Sequence, residues 1–145
     1  MKIGLIGAGR LGLCFALLME RAGYTVIVSD IREDYVNGLN EKRIDTNEPD
    51  VERLLSESSK ITFTTNNWDI IEQCDLIYTF VATPSTRDGD YDVSVIEKVV
   101  QDFTTSSTPL RGKSLVIGCT TNPGDCDRFQ DDLSYFGMDV YYNPE

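Results

Sequence analysis

Three glycines, Gly7, Gly9 and Gly12, give the spacing G-x-G-x-x-G between the apolar run Lys2 to Ile6 and a second apolar stretch, Leu11 to Ala22. In a strand–turn–helix setting each glycine has a separate purpose. Gly7 permits the tight turn, Gly9 lets a pyrophosphate approach the backbone, and Gly12 lets the helix pack against the strand. The helix N-terminus adds N–H donors and a partial positive charge. Gly7, Gly9, Arg10, Leu11 and Gly12 are therefore the expected cofactor-binding turn, with Arg10 within reach of a phosphate oxygen or simply solvated. Eighteen residues past Gly12, Asp30 ends a second apolar run, where a carboxylate accepts from the hydroxyls of an adenosine ribose. That favours NAD over NADP, since a 2′-phosphate beside Asp30 meets like charge. Arg32 argues the other way, because a guanidinium there can pair with a 2′-phosphate; the carboxylate weighs more.

These residues require a particular scaffold. Beyond Lys2 to Ile6, buried strands are predicted over Tyr24 to Ser29, Ile61 to Thr64, Asp75 to Val81, Ser114 to Cys119 and Met138 to Tyr142. Helical pieces are predicted at Leu11 to Ala22, Glu33 to Leu39, Val51 to Ser56, Trp68 to Gln73, Val93 to Phe103 and Asp125 to Phe136. Asp92 is the expected N-cap of the fifth, whose apolar face is Val95, Ile96, Val99, Val100 and Phe103; Glu97, Lys98, Gln101 and Asp102 lie on its other face. Strands alternating with helices imply a parallel sheet covered on both sides. The expected fold is a single-domain α/β Rossmann sheet, doubly wound, with six strands in the order 3-2-1-4-5-6 and a binding crevice between the first and fourth strands.

Composition narrows the function classes. The 145 residues suit one domain, and a net charge of −11 repels nucleic acid at long range. The longest uninterrupted apolar run, Leu13 to Met19, is too short to span a membrane. A cytoplasmic location is expected. Four cysteines without C-x-x-C spacing, and no histidine, predict neither structural metal nor disulfides. Cys14, Cys74 and Cys119 lie in or beside apolar runs and are expected to be inert.

Along its whole length the chain resembles the N-terminal NAD-binding domain of the UDP-glucose/GDP-mannose dehydrogenase family. The resemblance rests on the Gly7 to Leu13 fingerprint, Asp30, Glu48-Pro49, Val81-Ala82-Thr83-Pro84, and Asp92-Val93-Ser94 after an Asp-Gly loop. Thr120 with Pro123-Gly124, and Asn143-Pro144-Glu145, complete it. It implies that Thr83 contacts the cofactor near the nicotinamide, with Pro84 shaping the same loop. It implies that Thr120 touches the cofactor and helps hold a catalytic water, and that Glu145 takes part in acid/base work. Thr120 and Glu145 are thus the catalytic candidates. In the family a second half supplies the sugar pocket and a cysteine nucleophile, and the C6 hydroxyl of a nucleotide sugar becomes a carboxylate in two hydride transfers. Residues 1–145 are read as the NAD-binding domain without that half, so a nucleotide sugar is a partner only when a second domain is present. A homo-oligomer is compatible with this reading.

Several positions depart from the family pattern. Tyr35 stands for a lysine near the adenosine, Arg10 for an aromatic residue, Asn47 for a tyrosine before Glu48-Pro49, and Asn122 and Asp125 for a proline and a threonine around Gly124. Two other readings stay open at this stage. One is the same kind of domain from a hydroxyacid or 6-phosphogluconate dehydrogenase; the other is a stand-alone dinucleotide-binding module without catalysis.

Overall fold

A computed structural model describes residues 1–144; Glu145 lies outside the described residues. In chain order the elements are β1 (Lys2–Ile6), α1 (Arg10–Arg21), β2 (Thr25–Ser29), α2 (Glu33–Asn40), α3 (Val51–Glu57) and β3 (Ile61–Thr64). They continue as α4 (Asn67–Gln73), β4 (Leu76–Thr79), α5 (Ser94–Thr104), β5 (Ser114–Ile117), α6 (Asp125–Ser134) and β6 (Asp139–Tyr142). The strands form one sheet in the order β3-β2-β1-β4-β5-β6, parallel at every pair. This is the expected doubly wound topology.

Side-chain alternation along each strand builds two cores. On β2, Val26 and Val28 point to one face and Ile27 to the other. The first face meets Leu13, Ala16 and Leu17 of α1, Val36 and Leu39 of α2, and Val51 and Leu55 of α3. The second meets Ile70 and Ile71 of α4, Ile96, Val99, Val100 and Phe103 of α5, and Phe129 and Leu133 of α6. Among the described residues no helix is long and apolar enough to cross a membrane.

Differences from expectation sit at the element ends. β4 is shorter than Asp75 to Val81, and β5 stops at Ile117 rather than Cys119. Single bonds from the Phe80 N–H to the Ile6 carbonyl and from the Gly118 N–H to the Thr79 carbonyl close the ladder there. Past them the chains diverge on either side of the switch point, so the apolar character continues while the pairing does not. Asp92 is not the N-cap of α5. Val93 holds that position, and Asp92 Oδ1 instead accepts from the Ser94 N–H at 2.9 Å, bracing the turn from one residue earlier. α6 ends at Ser134 because Gly137, at φ +77°, reverses the chain into β6.

The closest approach of α1 to the turn after β1 is a backbone contact. Gly7 turns the chain at φ +101°, and a Cβ on Gly12 would stand 2.0 Å from the Gly7 carbonyl oxygen and 3.2 Å from Leu5 Cδ2. Gly12→Ala is expected to destabilise the fold by more than about 2 kcal/mol, since the obstacle is backbone and cannot rotate away. Urea unfolding measures this, and an unchanged midpoint would show that α1 can slide along β1 at little cost.

Candidate functional site

The carboxyl ends of β1, β2 and β4 open onto a cleft of ≈ 660 Å³. Gly7 and Gly9 form its lip, Asp30 and Arg32 one side, and Ile6, Phe80, Val81, Val95 and Val99 an apolar wall. Its position is the switch point, where the crossovers leave β1 and β4 in opposite directions.

The N-terminus of α1 faces this opening without a protein cap. Among the described residues no side chain caps its first turn, and no acidic residue lies there. Gly9 precedes the helix at φ −64° and ψ −173°, a conformation open to any residue. A Cβ added to Gly9 would meet nothing within 4 Å. Gly9 therefore leaves space above exposed backbone donors, whereas Gly12 removes bulk beneath them. Such a cradle fits an anionic pyrophosphate, which the uncapped N–H groups and the helix dipole favour.

Asp30 joins the turn to β2. Its Oδ2 accepts from the Ala8 N–H at 3.0 Å, and the Gly7 N–H donates to the Ser29 carbonyl at 2.8 Å. The carboxylate is also held by Arg32. Oδ1 accepts from the Arg32 backbone N–H at 3.1 Å and from Nε at 2.8 Å, while Oδ2 accepts from Nη2 at 2.9 Å. Burial alone would raise the pKa of Asp30, but the Arg32 hydrogen bonds and charge and the Ala8 N–H outweigh it and hold the group below its ordinary value. The Asp30 bonds raise that of Arg32. Arg32 is thus a partner of Asp30 as well as a rival for the cofactor, because the two pair with each other.

A polar chain underlies the cleft. The Ser29 hydroxyl donates to Asn67 Oδ1 at 2.6 Å, and Asn67 Nδ2 donates to Asp102 Oδ2 at 2.7 Å, linking β2, α4 and α5. Asn67, Lys98, Gln101 and Asp102 line the cleft. Sequence reasoning missed Ser29 and Asn67, and it placed the three α5 residues only on the face away from the core. Helical period separates that face from the apolar one without revealing that the sheet edge opens beside it.

The remaining sequence candidates lie elsewhere. Arg10 points away from the cleft, its Nε 2.8 Å from Glu48 Oε1, beside a separate depression lined by Leu13, Tyr35 and Asn47. Leu11 is half-buried in the first turn of α1, outside the cleft lining. Thr83 and Pro84 follow Ala82, the last cleft residue of the loop after β4, and Thr120 lies in the loop after β5. None of these three lines the cleft. Their loops are nevertheless tied together: Tyr91 N–H donates to Asn122 Oδ1 at 2.7 Å, and Asn122 Nδ2 donates to the Tyr91 carbonyl and to Asp125 Oδ2, each at 2.9 Å. Glu145 lies outside the described residues.

Cys74, Cys119 and Cys126 are not set up as nucleophiles. Burial pushes the thiols of Cys74 and Cys119 up to about 11, and burial likewise raises that of Cys126.

An uncapped helix behind a glycine turn, with a carboxylate at the end of the neighbouring strand, defines a dinucleotide-binding domain. Known proteins narrow the class. The description "UDP-glucose/GDP-mannose dehydrogenase family, NAD binding domain" matches residues 1–145. An uncharacterized protein of Methanocaldococcus jannaschii is 31% identical over 147 residues, covering 100% of this chain and 16% of that protein. UDP-glucose 6-dehydrogenase TuaD of Bacillus subtilis is 26% identical over 153 residues, covering 99% of this chain and 32% of TuaD. Among solved structures, the fold matches a ternary complex of GDP-mannose dehydrogenase from Pseudomonas aeruginosa, with a TM-score of 0.89 at 24% identity; all of this chain and 36% of that one are covered. The chain belongs to the UDP-glucose/GDP-mannose dehydrogenase family, as its NAD-binding domain. It spans about a third or less of the length of the curated relatives named here.

Two predictions follow from the geometry. Gly9→Val should leave stability within about 1 kcal/mol of the parent, because the added side chain enters open space. The same variant should bind NAD more than about tenfold more weakly by calorimetry. A variant that folds and binds as the parent does would remove the turn from the phosphate site. For Asp30 the sign is set by its lowered pKa: the stabilisation is complete above the unfolded carboxylate pKa and is lost as pH falls through the native value. Asp30→Asn should therefore flatten the loss of stability below about pH 4, read from unfolding midpoints across pH. Parallel curves for the two proteins would show that Asp30 gains nothing from its partners.

Proposed function

We propose that this domain holds NAD for a nucleotide-sugar dehydrogenase and that a second domain, of the kind the family carries, supplies the sugar pocket. The observation that carries this reading is the coupling of the glycine turn to Asp30 at one cleft. The turn offers donors for the pyrophosphate at Gly9, Arg10, Leu11 and Gly12. Asp30 offers an acceptor for the adenosine ribose, and the wall of Ile6, Phe80, Val95 and Val99 suits a flat ring. NAD, when bound, accepts the hydride; the protein orients it and excludes water.

Thr83 and Pro84 are assigned to the nicotinamide end, and Thr120 to holding a water and the cofactor there. Both loops leave the carboxyl ends of strands beside the cleft, and Asn122 fastens one to the other. Glu145 is assigned acid/base work on the strength of the Asn143-Pro144-Glu145 signature. The whole enzyme would oxidise a sugar C6 hydroxyl to a carboxylate in two hydride transfers, in the cytoplasm, where thiols such as Cys74 and Cys119 stay reduced.

Calorimetric titration with NAD and NADP tests the cofactor assignment. NAD should bind more tightly, because Asp30 repels a 2′-phosphate. Equal affinities, or a preference for NADP, would transfer control of the adenosine end to Arg32. Residues 1–145 alone should form no NADH from UDP-glucose, GDP-mannose or related sugars. Lost positioning removes many orders of magnitude in rate, and none of the buried thiols is primed for the thioester step. Sustained growth of the reduced-nicotinamide absorbance would overturn the need for a second domain.

A further inference from the structure

Asp30, the acceptor assigned to the ribose, borders the cleft but is almost covered. Its side chain is only 8% exposed because Arg32, itself 55% exposed, lies across it. A carboxylate has roughly four lone-pair sites, and Asp30 uses them all. Two go to the backbone N–H groups of Ala8 and Arg32, and two to Nε and Nη2 of the Arg32 guanidinium. The backbone donors belong to the glycine turn and to the start of α2, so they cannot leave without undoing local structure. The guanidinium can leave by side-chain rotation alone. Its flat face is supported by the Tyr35 ring, with Arg32 Cζ 4.1 Å from the centroid, while its edge bonds Asp30. Tyr35 and Arg32 together therefore hold a cation over the acceptor that a ribose diol requires.

We propose that Arg32 is a displaceable latch on Asp30, parked by Tyr35, which NAD must open in order to bind. This rests on the assignment of Asp30 to the NAD ribose. The latch lowers NAD affinity by the fraction of molecules in which it is closed. It also sets cofactor selectivity. Once displaced, the guanidinium remains tethered two residues from Asp30, close enough to offset the repulsion that the carboxylate exerts on a 2′-phosphate. Arg32 thus costs NAD affinity and spares NADP the full penalty, which narrows the gap between them. A guanidinium that merely contacted bound cofactor would strengthen both.

The test is calorimetric titration of the parent chain, Arg32→Ala and Tyr35→Leu with NAD and with NADP. Arg32→Ala should tighten NAD by roughly two- to fivefold, the range expected for removing a partly exposed competing ion pair. NADP should not tighten with it, so selectivity for NAD widens. Tyr35→Leu should tighten NAD by a smaller factor in the same direction, giving an independent reading if either variant folds poorly. In the parent, the Arg32 Nε–H resonance should shift when NAD is added. Unchanged or weaker NAD binding by Arg32→Ala, with the parent binding normally, overturns the latch while leaving the cofactor assignment intact. If neither the parent nor Arg32→Ala binds NAD, the cofactor assignment fails and the latch with it.

Discussion

Helix α1 can rest on the turn after β1 only because nothing stands between Gly12 and the Gly7 carbonyl. The remainder of the binding region follows from that backbone contact. It brings Leu13, Ala16 and Leu17 down onto Leu5, Val26 and Val28, closing one of the two cores. It aims an uncapped helix N-terminus at the gap between β1 and β4. It also leaves the Ala8 N–H in reach of Asp30, so that the end of β2 is tied to the turn by the same carboxylate that faces the cleft. Phosphate cradle and ribose acceptor are consequences of one close approach, and a loosened helix would displace both.

The strand order and the glycine turn were legible in the residues because each rests on a local pattern. Strands alternate with amphipathic helices, and three glycines at fixed spacing follow a strand. The ends of β4 and β5 were not legible, since strand termination depends on when the neighbouring chain turns away, and Val81 and Cys119 are as apolar as the residues before them. Lys98, Gln101 and Asp102 were assigned to the right face of α5 for an incomplete reason: period tells which residues leave the core but not what space they enter. Asp30 and Arg32 were read as rivals. Their separation by two residues is visible in the sequence, but whether the guanidinium folds back onto the carboxylate depends on the Tyr35 ring behind it.

Four of the departures from the family pattern, Arg10, Tyr35, Asn122 and Asp125, become intelligible as local pairings. Arg10, where an aromatic residue is usual, forms an ion pair with Glu48 in the Glu48-Pro49 segment. Tyr35, in place of a lysine, supports a cation contributed by Arg32. Asn122 and Asp125, replacing a proline and a threonine, bond to each other, and Asn122 reproduces a strand-like exchange with both backbone groups of Tyr91. In each case the unusual residue is engaged by a nearby side chain or loop, so the changes alter how the loops are fastened and leave the sheet untouched.

The position of β1 has a bearing on how the domain comes into being on the ribosome. Of the six strands of this sheet it is the first to be synthesised, and it occupies an inner place, with β2 on one flank and β4 on the other. The β2 partner emerges soon afterwards, beginning at Thr25, but β4 begins only at Leu76. Until then one edge of β1 carries unpaired backbone groups, and through most of that interval Ile6 and Ile27 lack the α4 surface that later packs on their face. A nascent chain passes through a half-sheet stage with an exposed parallel edge, the kind of surface on which chaperones act and premature pairing begins.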